Sequence, residues 1–233
     1  MRPSHPLCPT SPMAIPHHAV LFDLDGTLVD SAPDLAGAGN DLREQRGLPP
    51  RPLDDYRPLT GTGARGMLSI ALDSRPEHAD FEALKAEYLD AYARRLTQLS
   101  RVFDDMHAVL QALERRGTAW GIVTNKHSRF ATPLVSGLGL DQRCAVLVCG
   151  DSAARAKPHP DPLLLAADQL GLAPATCIYV GDDLRDIQAG RAAGMATIAA
   201  AWGYLGDGAP IGHWGADHLA QSPSDLLKLL GLD

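Results

Sequence analysis

Short apolar runs alternate with segments of helical spacing along most of the chain, and this alternation restricts the possible folds more than any other feature. Buried strands that alternate with helices form a parallel sheet covered by helices on both faces. The sequence therefore predicts an α/β fold with a parallel sheet. The apolar runs lie at Ala19–Phe22, Ala119–Thr124, Ala145–Cys149, Cys177–Val180 and Ala196–Ala200, and the segments with helical spacing at 104–115, 128–138, 160–170 and 184–193.

The segment from Ala32 to Ser100 interrupts the alternation, because it contains no convincing strand. Apolar residues within it recur at helical spacing instead. We therefore predict a small helical domain, residues 32–100, inserted into a core made of residues 19–31 and 101–233. The expected helices of this domain are Leu35–Arg46, Ala64–Leu72 and Phe81–Leu99.

The N-terminal segment, the net charge and the distribution of apolar residues argue against secretion, against a membrane span and against nucleic acid as a partner. Prolines recur at positions 3, 6, 9, 12 and 16, and no apolar segment of a secretory signal follows, so we predict a disordered extension over residues 1–18. The formal charge is −7 without a basic stripe, which argues against binding to nucleic acid or to an anionic membrane. No run approaches the roughly 20 apolar residues of a membrane span. We predict a cytoplasmic protein.

The sharpest local signal is the sequence DLDGT at residues 23–27, where the first strand ends. Both carboxylates, Asp23 and Asp25, can converge at the carboxyl edge of the sheet, which is where ligands bind in open α/β folds. Two acids this close repel each other, which favours a cation between them or a shared proton. The alternative is a turn with two solvated aspartates, since such turns are common.

Three further polar clusters follow later strands. Asp182 and Asp183 open a helix after the run CIYV, although either could be a simple helix cap. Thr124 and Asn125 also follow a strand, where a hydroxyl, an amide and backbone N–H groups can hold phosphate oxygens or merely cap a helix. Lys157 stands just before a helix, where a cation is disfavoured, so neutralising a carboxylate–phosphate cluster would explain its position. A solvated surface lysine is the alternative.

The four clusters together, DLDGT, VTNK, KP and GDDLRD, resemble the four motifs of the haloacid dehalogenase superfamily of phosphatases. The resemblance extends over the chain from about Ala19 onward. It implies a Rossmann-like core with a parallel sheet and an all-helical cap domain inserted after the first strand. The predicted insertion at residues 32–100 agrees with that arrangement.

The resemblance also implies a mechanism. Asp23 would attack phosphorus and form an aspartyl-phosphate, and Asp25 would serve as general acid and then as general base. Mg²⁺ would be held by Asp23, the backbone carbonyl of Asp25 and Asp182, with Asp186 as a more distant partner. Asp25 also favours a phosphatase over a dehalogenase, which lacks that second acid.

The remaining implied roles concern substrate binding. Thr124, Asn125 and Lys157 would hold phosphoryl oxygens, with Lys157 also orienting Asp23. The segment GTGAR at residues 61–65 would contact the leaving group, where Arg65 could meet an acidic group of the substrate, although a solvated helix arginine is an equal alternative.

Within the superfamily the sequence resembles phosphoglycolate phosphatases, and more closely the proteobacterial N-acetylmuramic acid 6-phosphate phosphatases, through GARGM, GDDLRDIQAGRAAGM and HWGAD. The expected partner is a small phosphorylated metabolite, and the expected assembly is a monomer or a homodimer. A sugar phosphomutase, or a binding protein that retains the fold without turnover, remains as an alternative.

Overall fold

The computed structural model describes residues 15–206 and 208–233. The predicted disordered extension lies mostly outside this range, at residues 1–14. Its described end contacts the core through the main chain. Ile15 N donates to Leu229 O at 3.1 Å, and His18 N donates to Thr176 O at 2.8 Å.

A six-stranded, fully parallel sheet forms the centre of the core. Its strands are β1 (Ala19–Phe22), β4 (Ala119–Val123), β5 (Val146–Val148), β6 (Cys177–Gly181), β7 (Ala196–Ala200) and β8 (His218–Ala220). Their order across the sheet is β5-β4-β1-β6-β7-β8. This confirms the predicted α/β fold. The edge strand β8 was not predicted, because it has three residues and two of them are exposed.

Helices cover both faces of the sheet. The helices of the core are α5 (Met106–Arg115), α6 (Ser128–Gly137), α7 (Asp161–Leu170), α8 (Leu184–Ala192) and α9 (Asp225–Leu229). Because alternate residues of a strand point to opposite faces, each strand contributes to an apolar cluster on either side. Val20 and Phe22 belong to an apolar cluster with α5, α6 and α9, and Leu21 and Tyr179 belong to a second cluster with α7 and α8. No helix in the described ranges has both the length and the apolar character needed to cross a membrane.

The register of the central strands brings the polar clusters together. Phe22, the last residue of β1, pairs with Ile122 of β4 and with Val180 of β6. Parallel strands in this register end at the same edge of the sheet. The residues that follow β1, β4 and β6 therefore leave the sheet side by side.

Residues 32–100, called the helical insertion below, form an apolar cluster that includes Leu42, Tyr56, Met67 and Tyr88, and Phe130 of α6 packs into it. The insertion leaves and re-enters the core through a short antiparallel pair, β2 (Val29–Asp30) and β3 (Arg101–Val102). Its helices are α1 (Ala32–Glu44), α2 (Leu53–Tyr56), α3 (Ala64–Leu72) and α4 (Phe81–Ala93), with a 3₁₀ helix at Arg57–Thr62.

Two helices of the insertion differ from their predicted bounds. The first begins three residues earlier than predicted, at Ala32, because Pro33 fits the first turn of a helix, where its missing N–H costs nothing. The last ends at Ala93 instead of Leu99, and turns follow. The backbone N–H groups of Leu99 and Ser100 bond there to the buried carboxylate of Asp34 instead of to helical carbonyls.

Candidate active site

Lys157 and Asp23 form the centre of the polar cluster at the carboxyl edge of the sheet. Asp23 follows β1, and its backbone N–H donates to the Val180 carbonyl at 2.9 Å. The ammonium of Lys157 lies 2.8 Å from Asp23 Oδ1, 2.7 Å from Asp186 Oδ1 and 2.8 Å from the Tyr179 hydroxyl. The Lys157 side chain is only 3 % exposed, so the structure excludes the solvated-lysine alternative.

The pKa values of this pair follow from burial and from their partners. Burial alone would lower the pKa of Lys157, but the carboxylates of Asp186 and Asp23 outweigh it, so that pKa is raised and the ammonium stays charged. Burial raises the pKa of Asp23 to about 7, against the opposing effect of Lys157 and with further contributions from Asp186 and Asp25. An uncompensated negative charge is therefore costly at Asp23.

Three carboxylates, those of Asp23, Asp182 and Asp186, offer oxygen atoms that all lie within 4.8 Å of one another. Burial, followed by the charges of Asp23 and Asp186, raises the pKa of Asp182 well above its ordinary value. A cluster of hard oxygen donors with excess negative charge suits Mg²⁺. A divalent cation here would offset the repulsion between the three acids.

The surroundings of Asp182 hold its carboxylate in one orientation. The Thr27 hydroxyl donates to its Oδ1 at 2.6 Å, and the backbone N–H of Tyr204 donates to its Oδ2 at 2.8 Å. A Cβ on Gly26, which has a φ of 90°, or on Gly203 would collide with this side chain. The site is thus built closely around a carboxylate, and the residues present fit the predicted cation.

The fourth motif divides its acids between two roles. Asp186 accepts hydrogen bonds at both oxygens, from Lys157 Nζ and from the Asp183 backbone N–H at 3.1 Å. Asp183 caps the N-terminus of α8 and forms a capping box with Asp186. The Asp183 carboxylate also pairs with the Arg185 guanidinium, through Nε at 2.8 Å and Nη2 at 2.7 Å. The helix-cap alternative therefore describes Asp183, whereas Asp182 faces the acidic cluster.

Asp25 is held by two donors. The Ser31 hydroxyl donates to its Oδ1. The Lys126 ammonium lies 3.1 Å from each of its carboxylate oxygens, and the Lys126 side chain is 8 % exposed. The same ammonium lies 4.7 Å from the centre of the Tyr92 ring on α4. Lys126 thus joins the second acid of the first motif to the helical insertion.

The second motif supplies one buried hydroxyl and one structural amide. Thr124 is buried beside the cluster, and its Oγ1 accepts a hydrogen bond from the Lys126 backbone N–H at 3.1 Å. Asn125 donates from Nδ2 to the Lys157 carbonyl at 3.0 Å and accepts from the Lys157 backbone N–H at 3.0 Å. In this structure the Asn125 side chain therefore positions the loop that carries Lys157.

A cavity of about 250 Å³ opens above the carboxylates, and both parts of the molecule line it. The core contributes the residues described above, and the insertion contributes Leu35 and the segment 60–63. Arg185 joins the two parts, because its Nη2 donates to the Gly61 carbonyl at 2.7 Å. Arg65 does not line this cavity; it lines a separate one within the insertion, together with Ser69 and Ser74. The structure thus gives no support to the expected contact between Arg65 and the leaving group.

Several residues that shape the site were not singled out from the sequence. Thr27 lies within the DLDGT motif, so its position was available as a signal, and Lys126 and Arg185 likewise lie inside motifs that were recognised. In the sequence, nothing distinguishes Tyr179 from the other residues of strand β6. Tyr204 lies in a loop, where no helical or strand periodicity indicates the direction of a side chain. Only the folded chain brings these two tyrosines to the carboxylates.

The fold and the site together define an α/β protein of Rossmann-like architecture with a metal-compatible acidic site at the carboxyl edge of its sheet. A family model described as haloacid dehalogenase-like hydrolase matches residues 20–200. The chain belongs to this family, as its four motifs predicted.

Individual relatives give narrower similarities. The chain is 50 % identical to a phosphoglycolate phosphatase of Xanthomonas campestris, covering 89 % of this chain and 94 % of that protein. It is 43 % identical to an N-acetylmuramic acid 6-phosphate phosphatase of Pseudomonas aeruginosa, covering 91 % and 94 %. The crystal structure of a predicted phosphoglycolate phosphatase from Haemophilus somnus is similar with a TM-score of 0.80 and 30 % identity, covering 91 % and 97 %.

Proposed function

We propose that this protein is a Mg²⁺-dependent phosphomonoester hydrolase that acts through an aspartyl-phosphate at Asp23. The observation that carries the proposal is the joint placement of Asp23, Asp182, Asp186 and Lys157 at one sheet edge, beneath a cavity that the helical insertion also lines. Bound Mg²⁺, with Asp23, Asp182 and the Asp25 carbonyl as ligands and Asp186 behind them, would neutralise charge between carboxylate and phosphate.

In the first step, an Asp23 carboxylate oxygen attacks phosphorus while the bond from phosphorus to the alkoxide oxygen breaks. Asp25 gives a proton to that leaving oxygen, so the alcohol departs neutral. Lys157 is hydrogen-bonded to Asp23 Oδ1, which orients the nucleophile. Thr124, which lines the cavity, can donate its hydroxyl to a phosphoryl oxygen.

In the second step, water attacks the phosphorus of the aspartyl-phosphate. Asp25 takes a proton from that water, which restores the proton it gave up before. The bond between phosphorus and Asp23 breaks, and inorganic phosphate leaves. One water is consumed and one phosphate and one alcohol are released in each cycle.

As substrate we propose N-acetylmuramic acid 6-phosphate, with 2-phosphoglycolate as the second candidate. The 43 % identity to a phosphatase named for the first compound supports it, and the 50 % identity to one named for the second supports the alternative. In both compounds the phosphate esterifies a hydroxyl group, and a separate carboxylate group is also present.

The HWGAD segment, which contributed to the resemblance, lies outside the cavity lining. Trp214 is buried against Ile187 and Ala199, and Asp217 accepts hydrogen bonds from the Thr197 N–H and hydroxyl, both at 2.8 Å. This segment therefore has a structural role, away from the cavity in which we propose that the substrate binds.

The proposal is tested with purified protein, Mg²⁺ and three substrates: 4-nitrophenyl phosphate, N-acetylmuramic acid 6-phosphate and 2-phosphoglycolate. We expect phosphate release with all three, and the largest kcat/KM for N-acetylmuramic acid 6-phosphate. A larger value for 2-phosphoglycolate would reverse the choice of substrate. Isomerised sugar phosphate without free phosphate would identify a phosphomutase, and no turnover by folded, metal-loaded protein would identify a binding protein.

A further inference from the structure

The cavity that Arg65 lines, called the second cavity below, has room for a small molecule and polar walls. Its volume is about 380 Å³, against about 250 Å³ for the active-site cavity. All of its lining residues belong to the helical insertion, and none of them is an acid of the active site. Its charged and hydroxyl-bearing side chains are those of Thr62, Arg65, Ser69, Ser74, Arg75 and Glu77.

The two arginines of the second cavity are available to a ligand. In the described part of the chain no carboxylate lies within ion-pair distance of Arg65. Arg75 has one weak partner, Asp73, with Nη2 and Oδ1 3.8 Å apart, and both side chains of that pair are mostly exposed. A guanidinium presents five N–H donors in a planar fork that matches a carboxylate. Two such groups beside the single acid Glu77 therefore favour a ligand with one negative charge.

Ser74 gives an independent indication of a ligand. This residue is 3 % exposed, and its hydroxyl has no hydrogen-bond partner among the residues that the structure describes. Such burial is unfavourable, because the hydroxyl gives up hydrogen bonds to water and receives none in return. Since Ser74 lines the second cavity, rotation about its Cα–Cβ bond can present the hydroxyl to a ligand there.

The other hydroxyl groups of the second cavity act as acceptors. Thr62 Oγ1 donates to the Leu59 carbonyl at 2.6 Å, and Ser69 Oγ donates to the Gly66 carbonyl at 2.8 Å. Each of these hydroxyls has already used its one proton, so only its lone pairs remain for a ligand. The carboxylate of Glu77 is also an acceptor. The walls therefore suit a molecule that combines an acidic group with hydrogen-bond donors.

We propose that the second cavity is a binding site for a small hydroxy acid. The carboxylate of the ligand pairs with Arg65 and Arg75, its hydroxyl groups donate to Glu77 and Ser69, and the Ser74 hydroxyl donates to a ligand oxygen. N-acetylmuramic acid and glycolate, the alcohol products of the two candidate substrates, belong to this class. The choice of these two compounds as probes rests on the proposed function, whereas the site itself does not.

The second cavity is close to the active site, because Thr62 lines both cavities. Thr62 belongs to the segment 60–63, whose Gly61 carbonyl accepts a hydrogen bond from Arg185 of the core at 2.7 Å. A ligand of the second cavity therefore contacts the same segment that lines the active site. An experiment has to separate binding in the second cavity from binding in the active site.

Titration calorimetry with metal-free protein makes this separation. Without a cation, the three carboxylates of the active site disfavour an acid there. N-acetylmuramic acid with N-acetylglucosamine, and glycolate with ethylene glycol, are matched pairs in which the second compound lacks the carboxylate. For at least one pair we expect saturable binding of the acid, about tenfold or more tighter than that of its neutral partner, because hydrogen bonds to charged groups are worth at least that factor.

Substitution of Arg65 locates the ligand. Arg65→Gln should weaken binding of the acid by about tenfold or more, since it removes the charge-assisted hydrogen bonds. Arg94→Gln removes the same charge from an exposed position of the insertion that does not line the second cavity, and it should leave the affinity unchanged. Thermal unfolding confirms that each variant is folded.

Substitution of Ser74 separates a binding role from a structural one. Ser74→Ala should weaken binding of the acid about fivefold, the usual value of one hydrogen bond. It should not lower the free energy of unfolding, because the hydroxyl has no partner to lose in the described ranges. A hydroxyl that stabilises the fold would give the opposite pair of results and would remove Ser74 from the site.

Other outcomes overturn the proposal as a whole. Failure of both acids to bind would do so, and so would equal affinity for each acid and its neutral partner. Equal losses in Arg65→Gln and Arg94→Gln would reduce the effect to net charge. Binding that persists in Arg65→Gln and is lost in Lys126→Met would place the acid in the active site. Hydrolysis of 4-nitrophenyl phosphate tests the proposed function separately, because it does not depend on whether the acids bind.

Discussion

Asp23 lies where its own charge is unfavourable, and this has a measurable effect on stability. Its pKa of about 7 is raised above the ordinary 3.8 in the folded, metal-free protein, mainly by burial. A raised carboxyl pKa contributes stability below pH 4, and that stability is lost as pH rises through 7. Asp23→Asn removes the titration, so we expect the metal-free variant to exceed the wild type in stability at pH 8 by more than at pH 5.

The difference between the two pH values should be on the order of 2–3 kcal/mol, since each unit of pKa shift corresponds to about 1.4 kcal/mol. Urea denaturation in the presence of a chelator measures it. Asp104→Asn, at an exposed position, is the matched control for the loss of one negative charge. An advantage of Asp23→Asn that does not change between pH 5 and pH 8 would contradict the raised pKa.

The same substitution tests the nucleophile. With Mg²⁺ present, Asp23→Asn should lower kcat by at least about 10⁴-fold, because losing a nucleophile removes the covalent route and not one contact among several. A chromogenic assay with 4-nitrophenyl phosphate is sensitive enough to measure the residual rate. Activity within tenfold of the wild type would remove Asp23 from this role.

At the level of single residues, the sequence predicted where the acids lie in the fold but not which side chains contact them. Asp23, Asp25 and Asp182 follow strand ends, so the strand pattern located them. The contact of Lys126 with Asp25 and with Tyr92 depends on how the insertion packs over the core, which spacing along the chain does not encode. For the same reason, the sequence could not show that Arg65 lies apart from the carboxylates.

Helix α8 connects the stability of an element to the geometry of the site. Asp183 caps its N-terminus and orients Asp186 through the capping box. Asp183→Ala should lower the free energy of unfolding by about 1 kcal/mol, the usual cost of losing an N-cap. Asp183→Ser keeps a capping oxygen and should lose less than half of that amount. A chemical denaturation series of the three proteins measures both differences.

The pH dependence of this effect has a definite sign. Burial alone would raise the pKa of Asp183, but hydrogen bonds from Arg185 outweigh it, so that pKa lies below its ordinary value. A lowered carboxylate pKa contributes stability above pH 4 that is lost as the pH falls through the folded-state value. The gap between wild type and Asp183→Ala should therefore shrink below about pH 4. A gap that widens on acidification would contradict the pairing with Arg185.

At the level of elements, burial decided what could be predicted. The five predicted strands of the sheet are apolar runs buried on both faces, and such runs are recognisable from composition alone. The strand β8 and the helix α9 have three and five residues, too few for a period to be detected. The pairing of β2 with β3 links positions separated by the whole insertion, and no local pattern indicates it.

The whole molecule should respond to the proposed cation. Mg²⁺ at about 100 times its Kd should stabilise the folded state by about 2.7 kcal/mol and raise Tm by roughly 5–10 °C. At one fixed Mg²⁺ concentration the effect should be larger at pH 8 than at pH 6, because the cation competes with the proton that Asp23 binds with a pKa of about 7 and its Kd is therefore higher at pH 6. Differential scanning calorimetry with and without Mg²⁺ measures it.

Asp182→Asn serves as the control for this experiment, because it removes one negative charge from the group of three carboxylates. We expect the variant to lose most of the shift produced by Mg²⁺ and to lose activity. Ca²⁺ in place of Mg²⁺ tests whether any divalent cation suffices for stability. A Mg²⁺ shift that is undiminished in Asp182→Asn would place the cation elsewhere.

The pairing of β2 with β3 places the two junctions of the helical insertion next to each other, with Val29 opposite Val102. The sheet is continuous without the insertion, and the apolar cluster of the insertion takes one buried member, Phe130, from the core helix α6. We expect that a module attached in this way can be exchanged between related enzymes when the replacement supplies the contacts that Gly61 and Tyr92 make with Arg185 and Lys126. The chain is accordingly suited to chimeric design, in which a foreign module joined at these two positions would redirect selectivity while the hydrolytic centre is retained.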